Sequence, residues 1–276
     1  MQRAHIRTLC FSLGLAATAA AQEQAAGDRV AVPLTDASRP ATIKAHLVNG
    51  GITVKGTDTK EVVVEARPRT AARRRREQGE STGGMTRLVI SSTGLAVTED
   101  HNVVDISTSS HARAVDLVVT VPVKSSLRLA SVNDGDIVVE NVSGDIEVNN
   151  VNGNVTLTSV SGSAVAHALN GNLVASFREV TAGKAMSFSS MNGKVDVTFP
   201  ADLKANVVLK SDNGEVLSDF DVKLDQGKKP VIQDGRDKGG KYRVQIEKAV
   251  YGTINGGGPE IQFKNFNGNI YIRKAK

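Results

Sequence analysis

Residues 134–177 read DGDIVVENV SGDIEVNNV NGNVTLTSV SGSAVAHAL NGNLVASF. Gly135, Gly144, Gly153, Gly162 and Gly171 recur nine residues apart, each following Asp, Ser or Asn. Looser copies begin at Asn49 (NGGITVKGT), Asn192 (NGKVDVTFP), Asn213 (NGEVLSDFD) and Asn267 (NGNIYIRK). A unit this short cannot bury its own apolar face, so it must stack on copies of itself.

Within the unit the fourth and sixth positions are apolar: Ile137 and Val139, Ile146 and Val148, Val155 and Leu157, Ala164 and Ala166, Leu173 and Ala175. That is the period-2 signature of a strand with one buried face. The ninth position is apolar as well (Val142, Val151, Val160, Leu169). Glycine at the turn permits positive φ, and Asn or Ser beside it can bond the adjacent backbone. Two architectures suit a strand and turn every nine residues. One is an antiparallel meander or sandwich with Asn-Gly hairpins; the other is a solenoid whose equivalent positions pile up in parallel. The near-identical units favour the solenoid. Nine extended residues reach only about 30 Å, tight for a circuit around a core about 10 Å thick, whereas two units reach roughly 60 Å. Alternation of Asn/Asp-Gly with Ser-Gly points the same way. The expectation is an all-β, single-domain β-solenoid of nine-residue strand-turn repeats, about two per coil.

Residues 1–21 combine a basic start (MQRAHIR), an apolar stretch and Ala19-Ala20-Ala21 before Gln22, the pattern of a cleaved secretory signal peptide. Residues 22–48, with Pro33 and Pro40, read as an N-terminal cap, and residues 49–276 as the solenoid. Residues 225–241 form a polar, glycine-rich excursion, and the segment after them reads as closing coils. Cys10 is the only cysteine, so cleavage leaves no disulfide and no thiol nucleophile. No later segment is apolar for long enough to span a bilayer. The formal charge is +5; without Arg3 and Arg7, 32 basic residues face 29 acidic ones. Six of the 32 are Arg67, Arg69, Arg73, Arg74, Arg75 and Arg76, in an exposed loop expected over residues 67–84. With no tryptophan and only 4% aromatics, the chain lacks the broad basic face with stacking rings that nucleic-acid binding uses.

The order of NGGITVKGTDTKEVVVEA, then VDLVVTVPVKSSLRLASVNDGDIVVENVSGDIEV, then short final coils resembles a bacterial envelope family of β-strand-repeat proteins of unknown function, of adhesin type, over residues 40–276. The resemblance implies a β-solenoid and an envelope location, and brings no catalytic residues with it. The arginine run is a local departure from the family pattern.

Chemistry has few footholds. Calcium-binding nonapeptide turns need G-G-x-G-x-D; here each turn has one glycine, and the position of Asp136 and Asp145 becomes Asn154, Ser163 and Asn172. A glycan-cleaving solenoid needs converging carboxylates. Asp134, Asp136, Glu140, Asp145 and Glu147 cluster in sequence, but an 18-residue coil puts Asp136 and Asp145 on opposite faces. His46, His101, His111 and His167 form no metal-spaced pair, and VSGSA around Ser161 is no nucleophile elbow. Phe177, Phe188 and Phe199 read as core-fillers. The expected function is therefore non-catalytic and cofactor-free: an exported structural or adhesive module in the periplasm, at the cell surface or secreted. The six arginines would contact an anionic envelope component, such as lipid headgroups, lipopolysaccharide or acidic glycan, or an envelope protein. The alternatives are a glycan-binding or glycan-cleaving solenoid and an envelope-stress accessory protein that contacts a membrane partner.

Overall fold

A computed structural model describes residues 27–69, 93–109, 114–225, 231–234, 242–245 and 249–276. Every regular element among them is a strand, 22 in all. The strands build two walls around one core. In the first wall the spatial order is Leu95–Asp100, Val103–Thr108, Ala41–Asn49, Ser125–Asn133, Ser143–Asn152, the second half of Val155–Asn170, Met186–Asn192, Glu260–Asn267, Ala205–Asn213, Ala249–Ile254 and Val222–Asp225. In the second it is Asp28–Pro33, Glu61–Pro68, Val115–Pro122, Ile52–Thr57, Ile137–Glu140, the first half of Val155–Asn170, Leu173–Val180, Val195–Phe199, Ile270–Lys274 and Val216–Ser218.

The middle of both walls is parallel and in register. Ser143 lies beside Ser161 and Gly144 beside Gly162; Ile137 lies beside Val155, and Val155 beside Leu173. Each of these steps spans 18 residues. After Leu173–Val180 an excursion lengthens the step, so Val165 meets Ser187. Pairing turns antiparallel near both ends, where Asp28–Pro33 covers Glu61–Pro68 and Val222–Asp225 covers Ala249–Ile254.

Like positions pile up inside the walls. One inward column runs Ala45, Leu129, Val148, Ala166, Phe188, Phe263, Leu209, all buried. The small Ala166 sits beside the large Phe188. Phe177 and Phe199 come from the second wall and stack at 5.3 Å between centroids, while Phe188 and Phe263 stack at 5.6 Å. Edge contacts of 5.9 and 6.0 Å join the two pairs across the core.

Val148 is fully buried, whereas its neighbour Glu147 faces solvent. Val148→Asp would strand a carboxylate among apolar side chains and is expected to cost about 3–5 kcal/mol. Glu147→Lys loses a 3.7 Å ion pair with Arg128 and is expected to cost about 1 kcal/mol or less. Thermal melts of the two variants check this; equal losses would contradict the strand phase.

Several local readings change. Ala41–Asn49, placed by sequence within a cap over 22–48, is a stack strand between Val103–Thr108 and Ser125–Asn133; its apolar alternation is that of the other coils. Arg67 belongs to the strand Glu61–Pro68 rather than to a loop. Within the excursion expected over 225–241, Val231–Asp234 pairs antiparallel with Tyr242–Gln245. The segment read as closing coils divides: Ala249–Ile254 lies near the end of the first wall, but the last two strands do not. Glu260–Asn267 lies between Met186–Asn192 and Ala205–Asn213, and Ile270–Lys274 between Val195–Phe199 and Val216–Ser218.

Candidate functional site

The corner between the walls at each Asn-Gly turn carries three ladders. In the outermost, each Asn side chain donates to its neighbour: Asn213 to Asn267 at 3.0 Å, Asn267 to Asn192 at 2.8 Å, Asn192 to Asn170 at 2.8 Å, Asn170 to Asn152 at 3.0 Å and Asn152 to Asn133 at 2.9 Å. In the second, the side chain after the glycine accepts from the next coil's backbone N–H: Asp136 from Asn154 at 2.7 Å, Asn154 from Asn172 at 2.9 Å, Asn172 from Lys194 at 3.0 Å. In the third, inward polar side chains bond the turn carbonyls: Ser131 to Gly50, Asn150 to Gly135, Ser190 to Gly171 and Asn265 to Gly193, at 2.7–2.9 Å. The turn oxygens that an ion ladder would need are thus engaged by the stack itself. Among the described residues no three His, Cys, Asp or Glu side chains are grouped to hold a metal.

The outer face of the first wall runs away from this corner in rows about 4.8 Å apart per coil. The first is apolar: between the paired positions on either side lie Val48, Val132, Val151, Leu169, Met191 and Phe266. Met191 and Phe266 are both 43% exposed. The ninth-position apolar residues therefore divide: Val142 and Val160 are core, Val151 and Leu169 belong to this outer row. Farther along, Asp105, Lys44, Arg128 and Glu147 lie in register, two neighbouring cations flanked by two carboxylates. His46 is on this face beside Ala130, and His167 is hydrogen-bonded to Ser189 at 2.7 Å. His101 sits in a turn with φ 50°, against Asp100. His111 lies outside the described residues.

At the opposite, Ser-Gly corner the face ends in an open groove of about 390 Å³. Its floor crosses four coils in register: Lys124, Ser143, Ser161, Glu179. Along one side, Asp145 accepts from Ser163 at 2.8 Å and from Lys184 at 2.6 and 2.7 Å. The Lys184 ammonium first, and then the Ser163 hydroxyl, hold the Asp145 carboxyl below the usual carboxylate range. The excursion that carries Thr181 and Lys184 is tied to the floor by Thr181 N–H donating to Gly162 at 2.9 Å, and Pro40 borders the groove as well. The sequence held one signal for this site, the recurrence of Ser-Gly at 143 and 161 with an acid at 179.

Asp196 is 8% exposed on the second wall. Burial pushes its pKa up, but hydrogen bonds from Arg273 at 2.7 Å and Lys194 at 3.2 Å prevail and leave it lowered. Because the folded pKa lies below the unfolded value near 3.8, this stabilisation is present at neutral pH and is lost as pH falls below that value and through the folded one.

Two of the six arginines singled out by sequence lie among the described residues, and each is engaged with a different carboxylate. Arg67 donates to Glu65 at 2.8 Å. Arg69 grips Asp116, with one bond at 2.9 Å, and also donates to the Asp134 carbonyl. Asp116 raises the Arg69 pKa through this hydrogen bond against the opposing effect of burial, and also accepts from Gly51 N–H at 2.9 Å. Arg73, Arg74, Arg75 and Arg76 lie outside the described residues.

Among the described residues no helix is long and apolar enough to cross a membrane. No curated protein matches the chain. Two solved structures align over most of it. A candidate cell-adhesion protein of Clostridium sporogenes has 10% identity and a TM-score of 0.43, with 91% of this chain and 100% of that one covered. A candidate adhesin of Bacteroides fragilis has 12% identity and a TM-score of 0.38, with 91% and 97% covered. Likenesses at this level carry no functional weight. The model of a family of unknown function, Toastrack DUF4097, matches residues 43–255, most of the two-walled stack, and the chain belongs to that family.

Proposed function

We propose that the chain is an exported, non-catalytic structural or adhesive module of the cell envelope, a single solenoid domain built from nine-residue strand-turn units. The observation that carries this reading is how the polar residues are spent. The Asn ladder, Asp136, Asp145 and Asp196 bond their own neighbours, which makes a rigid, patterned surface rather than a reaction centre. Acid catalysis on a glycosidic bond needs a carboxyl with a raised pKa, and both Asp145 and Asp196 are lowered. A stack with an outer face of repeated rows suits recognition of an extended or repetitive partner.

With Arg67 and Arg69 in ion pairs, contact with an anionic envelope component falls to Arg73, Arg74, Arg75 and Arg76. Wild-type protein is expected in envelope fractions with a mature start near Gln22, and to sediment with anionic vesicles less strongly as salt rises. Replacing those four arginines by Ser is expected to remove the salt-sensitive sedimentation and leave the melting temperature unchanged. Intact-mass measurement and vesicle sedimentation check both. A full-length cytoplasmic species, or equal salt-insensitive behaviour of the two proteins, would overturn the exported or the anion-binding part respectively.

A further inference from the structure

We infer that the groove at the Ser-Gly corner binds a neutral oligosaccharide of about two or three rings. The inference rests on the adhesive reading and names its ligand.

The floor is Lys124, Ser143, Ser161 and Glu179, one residue from each of four successive coils. Three strand spacings place the two charged ends about 14 Å apart, with two serines between them. Among the described residues neither serine hydroxyl has a hydrogen-bond partner, nor has the Lys124 ammonium, the Glu179 carboxylate or the Thr181 hydroxyl. Together these five groups supply both donors and acceptors, as adjacent sugar hydroxyls require.

Three features choose the ligand class. Charge is the first: Lys124 and Lys184 balance Asp145 and Glu179, so the lining as a whole has no preference for an anion. The second is the backbone. Ser143 N–H donates to Val123, Ser161 N–H to Val142 and Thr181 N–H to Gly162, at 2.7–2.9 Å. The groove runs across the strands with these main-chain donors already used, so an extended peptide cannot add itself as a strand. The third is composition. The lining holds no aromatic and no large apolar side chain, which fits a hydroxyl-rich ligand held weakly and excludes an apolar one. The volume of about 390 Å³ admits a short oligosaccharide and, because the groove is open along its length, a segment of a longer chain.

The test is saturation-transfer NMR and calorimetric titration of the mature protein with cellotriose, chitotriose and maltotriose at millimolar concentrations. Trigalacturonate and a glycine-serine pentapeptide serve as the acidic and peptide probes. At least one neutral trisaccharide should bind. The double variant Ser143→Val, Ser161→Val introduces β-branched residues suited to strands and should weaken that binding about tenfold or more through loss of two hydrogen bonds. Should it melt early, Ser143→Ala, Ser161→Ala replaces it. No binding by any neutral trisaccharide would overturn the inference. So would a preference for trigalacturonate or the peptide, or full affinity in a folded double variant. Retention on isolated envelope material without trisaccharide binding would sink the groove alone; loss of both would sink the adhesive reading with it.

Discussion

A chain ending at Gly258 is expected not to fold cooperatively. In a solenoid stacked in chain order, removal of the last coil trims one end and costs little. Here the last coil is a middle layer. Glu260–Asn267 joins Met186–Asn192 to Ala205–Asn213, and Ile270–Lys274 joins Val195–Phe199 to Val216–Ser218. Deletion therefore opens two facing edges in each wall. It also removes Ile261, Phe263, Ile270 and Ile272, all at most 1% exposed. At about 1.5–3 kcal/mol for each buried side chain, the loss is roughly 6–12 kcal/mol, comparable with the entire stability of a typical domain. Phe188 loses Phe263, its stacked neighbour in the same wall, and Phe199 loses it as a partner across the core. The crossing itself is built for the purpose: Asn255, Gly256 and Gly257 take positive φ of 49°, 87° and 87°. The Asn206 side chain, donating to Gly258 at 2.6 Å, ties the passage to the strand it crosses. Circular dichroism melts and binding of a hydrophobic dye to the truncated protein check the expectation. A cooperative melt within a few degrees of the full chain would show that the two flanking coils can close the gap unaided.

The reason this insertion was illegible also explains what was legible. Alternation of Ile146 with Glu147 and Val148 exposes a strand with one buried face from sequence alone, and Asn-Gly marks its turn. Both are local. Which coil neighbours which is decided by pairings such as Leu209 with Phe263, 54 residues apart. Repeats that resemble one another offer nearly equal surfaces to any neighbour, so the more regular the sequence, the less it says about order. The ends broke the pattern for a related reason: antiparallel strands such as Asp28–Pro33 and Ala249–Ile254 carry no nonad, because they cover edges rather than extend the stack. At the site, Ser143 and Ser161 could be aligned by their 18-residue spacing. Lys124 and the Thr181–Lys184 wall could not, since one sits 19 residues before Ser143 and the other in an excursion with no counterpart in neighbouring coils. The arginines were visible as a cluster, yet Arg69 is committed to Asp116, 47 residues away, a partner no local pattern reveals.

Positive φ accounts for only some of the turn glycines, and Gly171→Ala tests what accounts for the others. Sequence reasoning assigned the turn glycines to positive φ. Gly50, Gly162, Gly193 and Gly268 do have it, at 127°, 115°, 155° and 134°, but Gly135, Gly153 and Gly171 do not stand among the positive-φ residues. What they share is proximity. A Cβ on Gly171 would lie 2.1 Å from the carbonyl oxygen of Gly153, and one on Gly153 would lie 2.1 Å from that of Gly135. The obstacle is backbone fixed in a parallel ladder, so it cannot swing aside as a side chain would. Relief requires neighbouring coils to separate at the corner, which stretches the Asn170 to Asn152 amide bond and the Asn172 to Asn154 bond. Gly171→Ala is therefore expected to cost about 3–5 kcal/mol, at about 2–4 °C of melting temperature per kcal/mol. Gly183→Ala is the comparison. Gly183 has φ 81° with nothing within 4 Å of an added Cβ, so its cost is conformational alone, about 1–2 kcal/mol. Denaturant melts of the two variants separate close approach from dihedral strain. If Gly171→Ala proves no worse than Gly183→Ala, the coils are free to part at this corner, and the ladder is not what holds their spacing.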